Sequence, residues 1–181
     1  MSKGPSWKPG DRREKRDAMV RVDQAGEYGA TRIYAGQLAV LGDRNSAARA
    51  VAGMANQEER HRAFFDAMIV RRGVRPTLLQ PFWDVAGFAL GAGTAAIGPE
   101  AAMACTAAIE TEIDAHYGEQ LDQLGDSDPE LSAAVAEFRA EEVEHRDSAL
   151  EAGAEMAPAY PLLESAIRLG CRAAIALSKK I

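Results

Sequence analysis

Apolar residues recur at intervals of three and four along most of this chain, and glycine or proline interrupts the pattern at regular distances. That periodicity predicts helices, and the breakers divide the chain into six. The first runs over about 11–41 and stops at Gly42. The second starts at Asn45 or Ser46, both good N-cap residues, and stops at Gly73. A third spans about 77–97. Pro99 opens a fourth that ends at Leu124, Asp128 and Pro129 cap and open a fifth that ends near Gly153, and a sixth covers about 161–180. Segments one, two, four and five have the length of bundle helices. The connections from one to two and from four to five are short, so each pair is expected to be an antiparallel hairpin. The connection from two to four is long and carries the third segment. One long crossover is the ferritin-like topology, so the expected fold is an all-α, ferritin-like four-helix bundle with a crossover helix and a C-terminal amphipathic helix.

The stripes on these helices are not purely apolar. On the second helix Val51, Met54, Glu58, His61, Phe65 and Met68 share one face. On the fifth, Val135, Phe138, Glu142, His145, Ala149 and Ala152 occupy the same offsets, each 84 residues later. On the first helix Val20, Glu27, Tyr34, Leu38 and Leu41 align, and on the fourth Met103, Glu110, Tyr117, Leu121 and Leu124 follow the same spacing 83 residues on. The chain therefore repeats internally, and each repeat places one lone glutamate and one E-x-x-H among apolar neighbours. A carboxylate buried without a partner is costly, and a metal ion removes the cost.

Glu58 and His61 lie three residues apart, about 60° around a helix, so both can reach one ion; Glu142 and His145 do the same. A single E-x-x-H is more often a solvated pair than a site. Here two of only three histidines carry it at a near-constant interval. Two helices giving one Glu each and two giving E-x-x-H is the donor set of a carboxylate-bridged dimetal centre, with Glu58 and Glu142 as the best bridging candidates. Oxygen donors with one imidazole per ion, and no thiolate, suit iron or manganese. His116 lacks a glutamate three residues before it and lies about 120° around its helix from Glu110, so it is expected outside the metal ligands. Asp23 and Asp114, one turn from the lone glutamates, could orient a ligand histidine or lie at the surface. Tyr34 and Tyr117 are core aromatics by default, with a role beside the metals as the alternative.

Length and charge narrow the surroundings. The 181 residues suit one domain over 11–181, and residues 1–10, polar and basic, read as a disordered tail. Net charge is −6, yet residues 1–16 carry +4 and residues 160–181 carry +3, which leaves −13 for the middle. Basic ends on an acidic body point to an anionic membrane surface. No basic patch interleaved with aromatics is present, so nucleic acid is not an expected partner. Cys105 and Cys171 stand apart and read as reduced packing residues. The 78–97 stretch has one charge, Asp84, and is long enough to span a bilayer, but Pro81 and its glycines argue against that. The sixth helix groups Leu163, Ile167, Cys171, Ala174 and Leu177 on one side and Arg168, Arg172 and Lys179 on another, an interfacial pattern.

Longer strings now carry a resemblance. RVDQAGEYGATRIYAGQ (21–37), QEERH (57–61), CTAAIETEIDAHYGEQL (105–121), AEEVEHRD (140–147) and APAYPLLESAIRLGCRAAIALS (157–178) resemble the demethoxyubiquinone hydroxylase family of ubiquinone biosynthesis, from about residue 17 to the C-terminus. The resemblance implies a peripheral membrane di-iron monooxygenase with two Fe ions per chain. It would hydroxylate a polyprenyl benzoquinol ring with dioxygen, taking electrons from a donor such as NADH or from the quinol itself. It implies iron ligands at Glu27, Glu58, His61, Glu110, Glu142 and His145. It also implies a His-Tyr pair, His116 and Tyr117, acting in electron transfer or quinone contacts. A start without a targeting extension suggests the cytoplasmic face of a bacterial cell membrane. Two other readings stay open on the residues alone: a soluble iron-oxidising or peroxide-removing protein, and a membrane adaptor with a structural metal.

Overall fold

The computed structural model describes residues 12–42 and 46–180. Six α-helices are found among them: α1 (Arg12–Leu41), α2 (Ser46–Arg72), α3 (Gln80–Ile97), α4 (Pro99–Leu124), α5 (Pro129–Glu151) and α6 (Tyr160–Ser178). The helix count and order match the apolar periodicity. The expected tail over 1–10 and the cap at Asn45 lie outside the described residues. Gly42 and Gly73, the expected stops of α1 and α2, adopt φ of 68° and 64°, where a side chain would be strained. The side chain of Asp128 accepts a hydrogen bond from the Leu131 backbone N–H at 3.2 Å, with Pro129 at the first turn, so α5 starts as the sequence predicts. The third helix starts at Gln80 rather than 77, after a turn in which the Leu79 backbone N–H donates to Thr77 Oγ1.

The helices α1 and α2 pack as one hairpin and α4 and α5 as another, α3 lies along α1, and α6 lies along α4. The chain is thus two three-helix repeats, and the outer helix of each covers the first helix of its own repeat. All six residues of the α2 stripe are buried. On α5 the stripe is buried through Ala149, whereas Ala152 is exposed because the helix ends at Glu151. On α6, Leu163, Ile167, Cys171 and Ala174 face inward as expected, whereas in the last turn Ser178 is buried and Leu177 is 45% exposed.

The glycines of 78–97 are explained by how closely α3 approaches α1. A Cβ on Gly91 would overlap the backbone carbonyl of Ile33, and one on Gly36 would overlap that of Phe88. A Cβ on Gly87 would lie 3.1 Å from both the Arg32 Cβ and the Gly29 carbonyl oxygen. Asp84 is neutralised by Arg32 at 2.7 Å and accepts from the Tyr28 hydroxyl at 2.8 Å. An apolar, glycine-rich helix with one acid therefore packs against the bundle, and no described helix is long and apolar enough to cross a membrane. Gly91→Ala is expected to destabilise the fold by about 3 kcal/mol or more, since backbone cannot move aside as a side chain can. In thermal unfolding that is a loss of roughly 6–12 °C. Gly93→Ala, with nothing within 4 Å, should instead gain up to about 1 kcal/mol from helix propensity.

Candidate metal centre

Four core helices bring the six expected residues together. Glu27 comes from α1, Glu58 and His61 from α2, Glu110 from α4, and Glu142 and His145 from α5. All six are at most 4% exposed. Their donor atoms fall into two clusters, each within 4.8 Å: Glu27, Glu58, His61 and Glu142 in one, Glu58, Glu110, Glu142 and His145 in the other. The glutamates of the two E-x-x-H motifs are common to both.

Ring orientation is set from behind. His61 turns Nδ1 inward, 3.1 Å from Glu142 and 3.5 Å from Glu27, while its Nε2–H donates to Glu141 at 2.8 Å. Phe138 stacks on the ring at 4.0 Å between centroids. His145 turns Nδ1 toward Glu142 at 3.0 Å and Glu58 at 3.3 Å, and its Nε2–H donates to the Gln57 amide oxygen at 2.7 Å. The residue just before each E-x-x-H therefore holds the histidine of the opposite helix. Sequence reasoning missed Gln57 and Glu141, although the same 84-residue interval relates them. The tyrosines cross in the same way. The Tyr34 hydroxyl on α1 donates to Glu110 on α4 at 2.7 Å, and the Tyr117 hydroxyl on α4 donates to Glu27 on α1. Both tyrosines hold carboxylates of the cluster rather than merely filling the core. The two aspartates do not orient the cluster histidines. Asp23 faces His116, and Asp114 pairs with Arg139 and Arg146 at the rim.

Oε1 of Glu58 and Nδ1 of His61 are buried without a well-aligned hydrogen bond and have only other cluster donors beside them, His145 Nδ1 at 3.3 Å and Glu142 at 3.1 Å. Burial, then the charge of Glu142, pushes the Glu58 and Glu110 carboxyls well above the ordinary range. Burial works against a charged His61, but hydrogen bonds to Glu142 and Glu27 outweigh it and lift the imidazole to about 10. Burial also works against a charged Glu142, but hydrogen bonds from His145 and His61 pull it down to about 2. The cluster thus traps protons in place of cations, and its donors fit divalent ions.

A pH dependence follows. A folded-state pKa raised above its unfolded value stabilises below the unfolded value, and that stability is lost as pH rises through the folded one. For Glu58 and Glu110 the loss begins above about 4.3, and for His61 it runs from about 6.5 up to about 10. Glu142 acts oppositely, but its contribution disappears only as pH falls toward about 2. The metal-free chain is therefore expected to melt progressively lower from pH 5 to pH 8, and loading with a divalent metal should remove most of that slope and release protons. Melting curves at both pH values and an indicator dye during metal addition check it.

Next to this centre lies a cavity of about 570 Å³ lined by α1, α3, α4 and α6. Its walls are almost wholly apolar, with Ser178 and Cys171 among the few polar side chains. Phe82, Ala166 and Gly170 line it yet are exposed, which puts its mouth between α3 and α6. At its inner end Val22, Gly26, Ile109, Ile113 and Ile175 also line a small pocket that reaches Glu27, Glu58, Glu110, Glu142, His116 and Tyr117. Cys105 is buried and Cys171 half-buried, and both thiols are free. Burial pushes each up to about 12, in keeping with inert packing residues.

A helical bundle whose core gathers glutamates and E-x-x-H histidines from four helices is a ferritin-like protein with donors that could hold metal ions. Within that class, the profile of the family described as Ubiquinone biosynthesis protein COQ7 matches residues 14–178, and the chain belongs to that family. It is 54% identical over 165 residues to the 3-demethoxyubiquinol 3-hydroxylase of Rhodospirillum rubrum, covering 91% of this chain and 78% of the relative. It is 51% identical to the mitochondrial NADPH-dependent 3-demethoxyubiquinone 3-hydroxylase of Bos taurus, over 93% of this chain and 79% of that protein. The mitochondrial 5-demethoxyubiquinone hydroxylase of Saccharomyces cerevisiae is 41% identical over 91% of this chain and 78% of its own length.

Proposed function

We propose that this chain is a di-iron monooxygenase that hydroxylates the ring of a demethoxyubiquinol with dioxygen, in ubiquinone biosynthesis, at a membrane surface. The carrying observation is the apolar cavity of about 570 Å³ whose inner end meets the buried glutamates and histidines. A space of that size, with so few polar groups, suits a lipid-like molecule with one reactive end. The relatives' names supply the ring chemistry and make a reduced nicotinamide a candidate electron donor beside the quinol itself.

Two iron ions would supply the redox chemistry that activates dioxygen. The protein's own residues do the rest. Glu27 and His61 would hold one ion, Glu110 and His145 the other, and Glu58 and Glu142 would bridge. Glu141 and Gln57 keep each imidazole with Nδ1 inward, and Tyr34 and Tyr117 fix the terminal carboxylates by donating hydrogen bonds. The apolar walls exclude water, and a quinol ring at the inner end would lie beside His116 and Tyr117, with His116 handling a ring proton.

The test is oxygen transfer. Iron-loaded protein supplied with a short-chain demethoxyubiquinol and a reductant should consume dioxygen only when the quinol is present, and with labelled dioxygen should place one labelled atom in the product. Quinol-independent iron oxidation alone would count against this reading.

Docking is tested separately. The apolar side chains of Phe82 and Val85 on α3 and Leu162 and Leu169 on α6 are 60–72% exposed on the helices that frame the mouth, and Lys179 and Lys180 follow α6. Burying a leucine is worth about 1.5–3 kcal/mol. Leu162→Asp with Leu169→Asp should therefore weaken sedimentation with anionic vesicles by about 100-fold or more, with iron content unchanged. Equal binding by parent and variant would contradict a membrane-facing mouth.

A further inference from the structure

The two repeats make each residue near the centre comparable with its counterpart 83 residues on. Glu27 and Glu110, Tyr34 and Tyr117, and Gln37 and Gln120 keep their identity. Other positions differ between the halves, and two of the differences put a titratable group beside the inner pocket in one half only. Asp23 on α1 corresponds to Thr106 on α4, and His116 on α4 corresponds to Ile33 on α1. The supporting amide is retained on both sides: Gln120 Nε2 donates to Asp23 Oδ2 at 2.7 Å, and Gln37 Nε2 donates to Thr106 Oγ1 at 3.4 Å. The scaffold is thus duplicated, and an acid and an imidazole have been placed on one side of it only.

These two residues meet. His116 Nε2 lies 3.3 Å from Asp23 Oδ1, the Asp23 side chain is fully buried, and the His116 side chain is 9% exposed. Each Asp23 oxygen receives one donor, both from α4. A buried carboxylate held in this way is an acceptor for an imidazole N–H, and it fixes which ring nitrogen carries the proton. Among the described residues Nδ1 of His116 has no hydrogen-bond partner, and the ring lines the inner pocket that joins the apolar cavity. The groups around the pair are Tyr117 and Gln120 on α4, and Lys179 just after α6, whose charge acts on Asp23.

We propose that Asp23 is a positioning residue for His116, holding the ring as the Nε2–H tautomer so that Nδ1 offers a lone pair to the hydroxyl of a quinol bound at the inner end of the cavity. The inference rests on the quinol reading above. In the step it serves, the phenolic O–H bond breaks and an Nδ1–H bond forms. The electron pair stays on the ring oxygen, and the imidazolium is held against the Asp23 carboxylate. No electron leaves the ring, and the phenolate pushes density toward the carbon that is to be hydroxylated. In the other half Thr106 and Ile33 offer neither acid nor base, so the proton-handling face of the centre is the α1/α4 side that carries Glu27 and Tyr117.

With only three histidines, the tautomer can be read directly. In ¹⁵N-histidine-labelled, zinc-loaded protein, zinc serving as a diamagnetic stand-in, the signal lost in His116→Gln identifies the ring. It should show a neutral imidazole protonated at Nε2. Asp23→Asn should lose that preference. In the iron-loaded enzyme Asp23→Asn should keep its iron and a KM within about twofold, while kcat falls by about 100-fold. Asp23→Glu should recover part of the loss. An Nδ1–H or doubly protonated ring in the parent, an unchanged tautomer or kcat in Asp23→Asn, or loss of iron in that variant would each overturn the proposal. Absence of quinol-dependent dioxygen uptake in the parent would instead overturn the functional reading, leaving the tautomer measurement to decide the Asp23–His116 assignment.

Discussion

Replacing Glu58 or Glu142 with alanine is expected to empty both metal positions and reduce hydroxylation to background. Each of these glutamates belongs to both donor clusters, so neither ion keeps a full set when one is lost. Glu27→Ala, which touches one cluster only, should remove or weaken one ion. Metal analysis distinguishes the cases: about two ions per chain in the parent, near zero in either bridging variant, and about one in Glu27→Ala. A parent stoichiometry near one, unaffected by either bridging change, would refute a dimetal centre. Stability should move the other way. Without metal, Glu58 is a buried carboxyl with an unpaired oxygen, so removing it takes away a desolvation cost that only a cation offsets. Metal-free Glu58→Ala is therefore expected to melt no lower than the metal-free parent.

The second large effect separates the histidines. His61 turns Nδ1 into the cluster and His116 lies beyond it against Asp23. His61→Ala should lose iron and turnover together. His116→Ala should retain iron, with turnover lowered by about 10²–10⁴-fold, the usual worth of a positioned acid–base group. Iron content measured beside single-turnover rates checks this, and a His116→Ala variant as iron-poor as His61→Ala would place His116 among the ligands after all.

The buried carboxylate–histidine face was legible in the sequence because a glutamate in an apolar stripe violates the helical pattern, and because the violation occurs twice at one interval. The crossover and the two hairpins were legible from breakers. Gln57 and Glu141 were not, since each is a polar residue at a partly exposed helical position, and what they touch lies across the bundle. Asp23 was misplaced for the same reason: spacing puts it one turn from Glu27, but only the packing of α1 on α4 shows that it meets His116. The glycines of α3 could be read as an argument against a membrane span. Their positive use, contact with the α1 backbone, depends on a pairing of helices that periodicity does not specify. On helix α6 the expected apolar side is the inward one for Leu163, Ile167, Cys171 and Ala174, and only Leu177, in the last turn, departs from it. Ser178 is buried and accepts a hydrogen bond from the Trp83 indole N–H, and Arg168 and Arg172 reach inward to Glu112.

The two sides of the cavity mouth are fastened by different means. Helix α3 sits backbone to backbone on α1, where displacement by even a fraction of an ångström meets carbonyl oxygens and not rotatable side chains. Helix α6 is tied by Ile167, by two arginines on Glu112 and by one indole–hydroxyl hydrogen bond near its end. The entrance therefore has one wall set by backbone contact and one set by side-chain contacts. Side-chain contacts yield more readily than backbone contacts, so a change in the width of the mouth is expected to come from α6 and to leave the four helices of the carboxylate–histidine cluster in place.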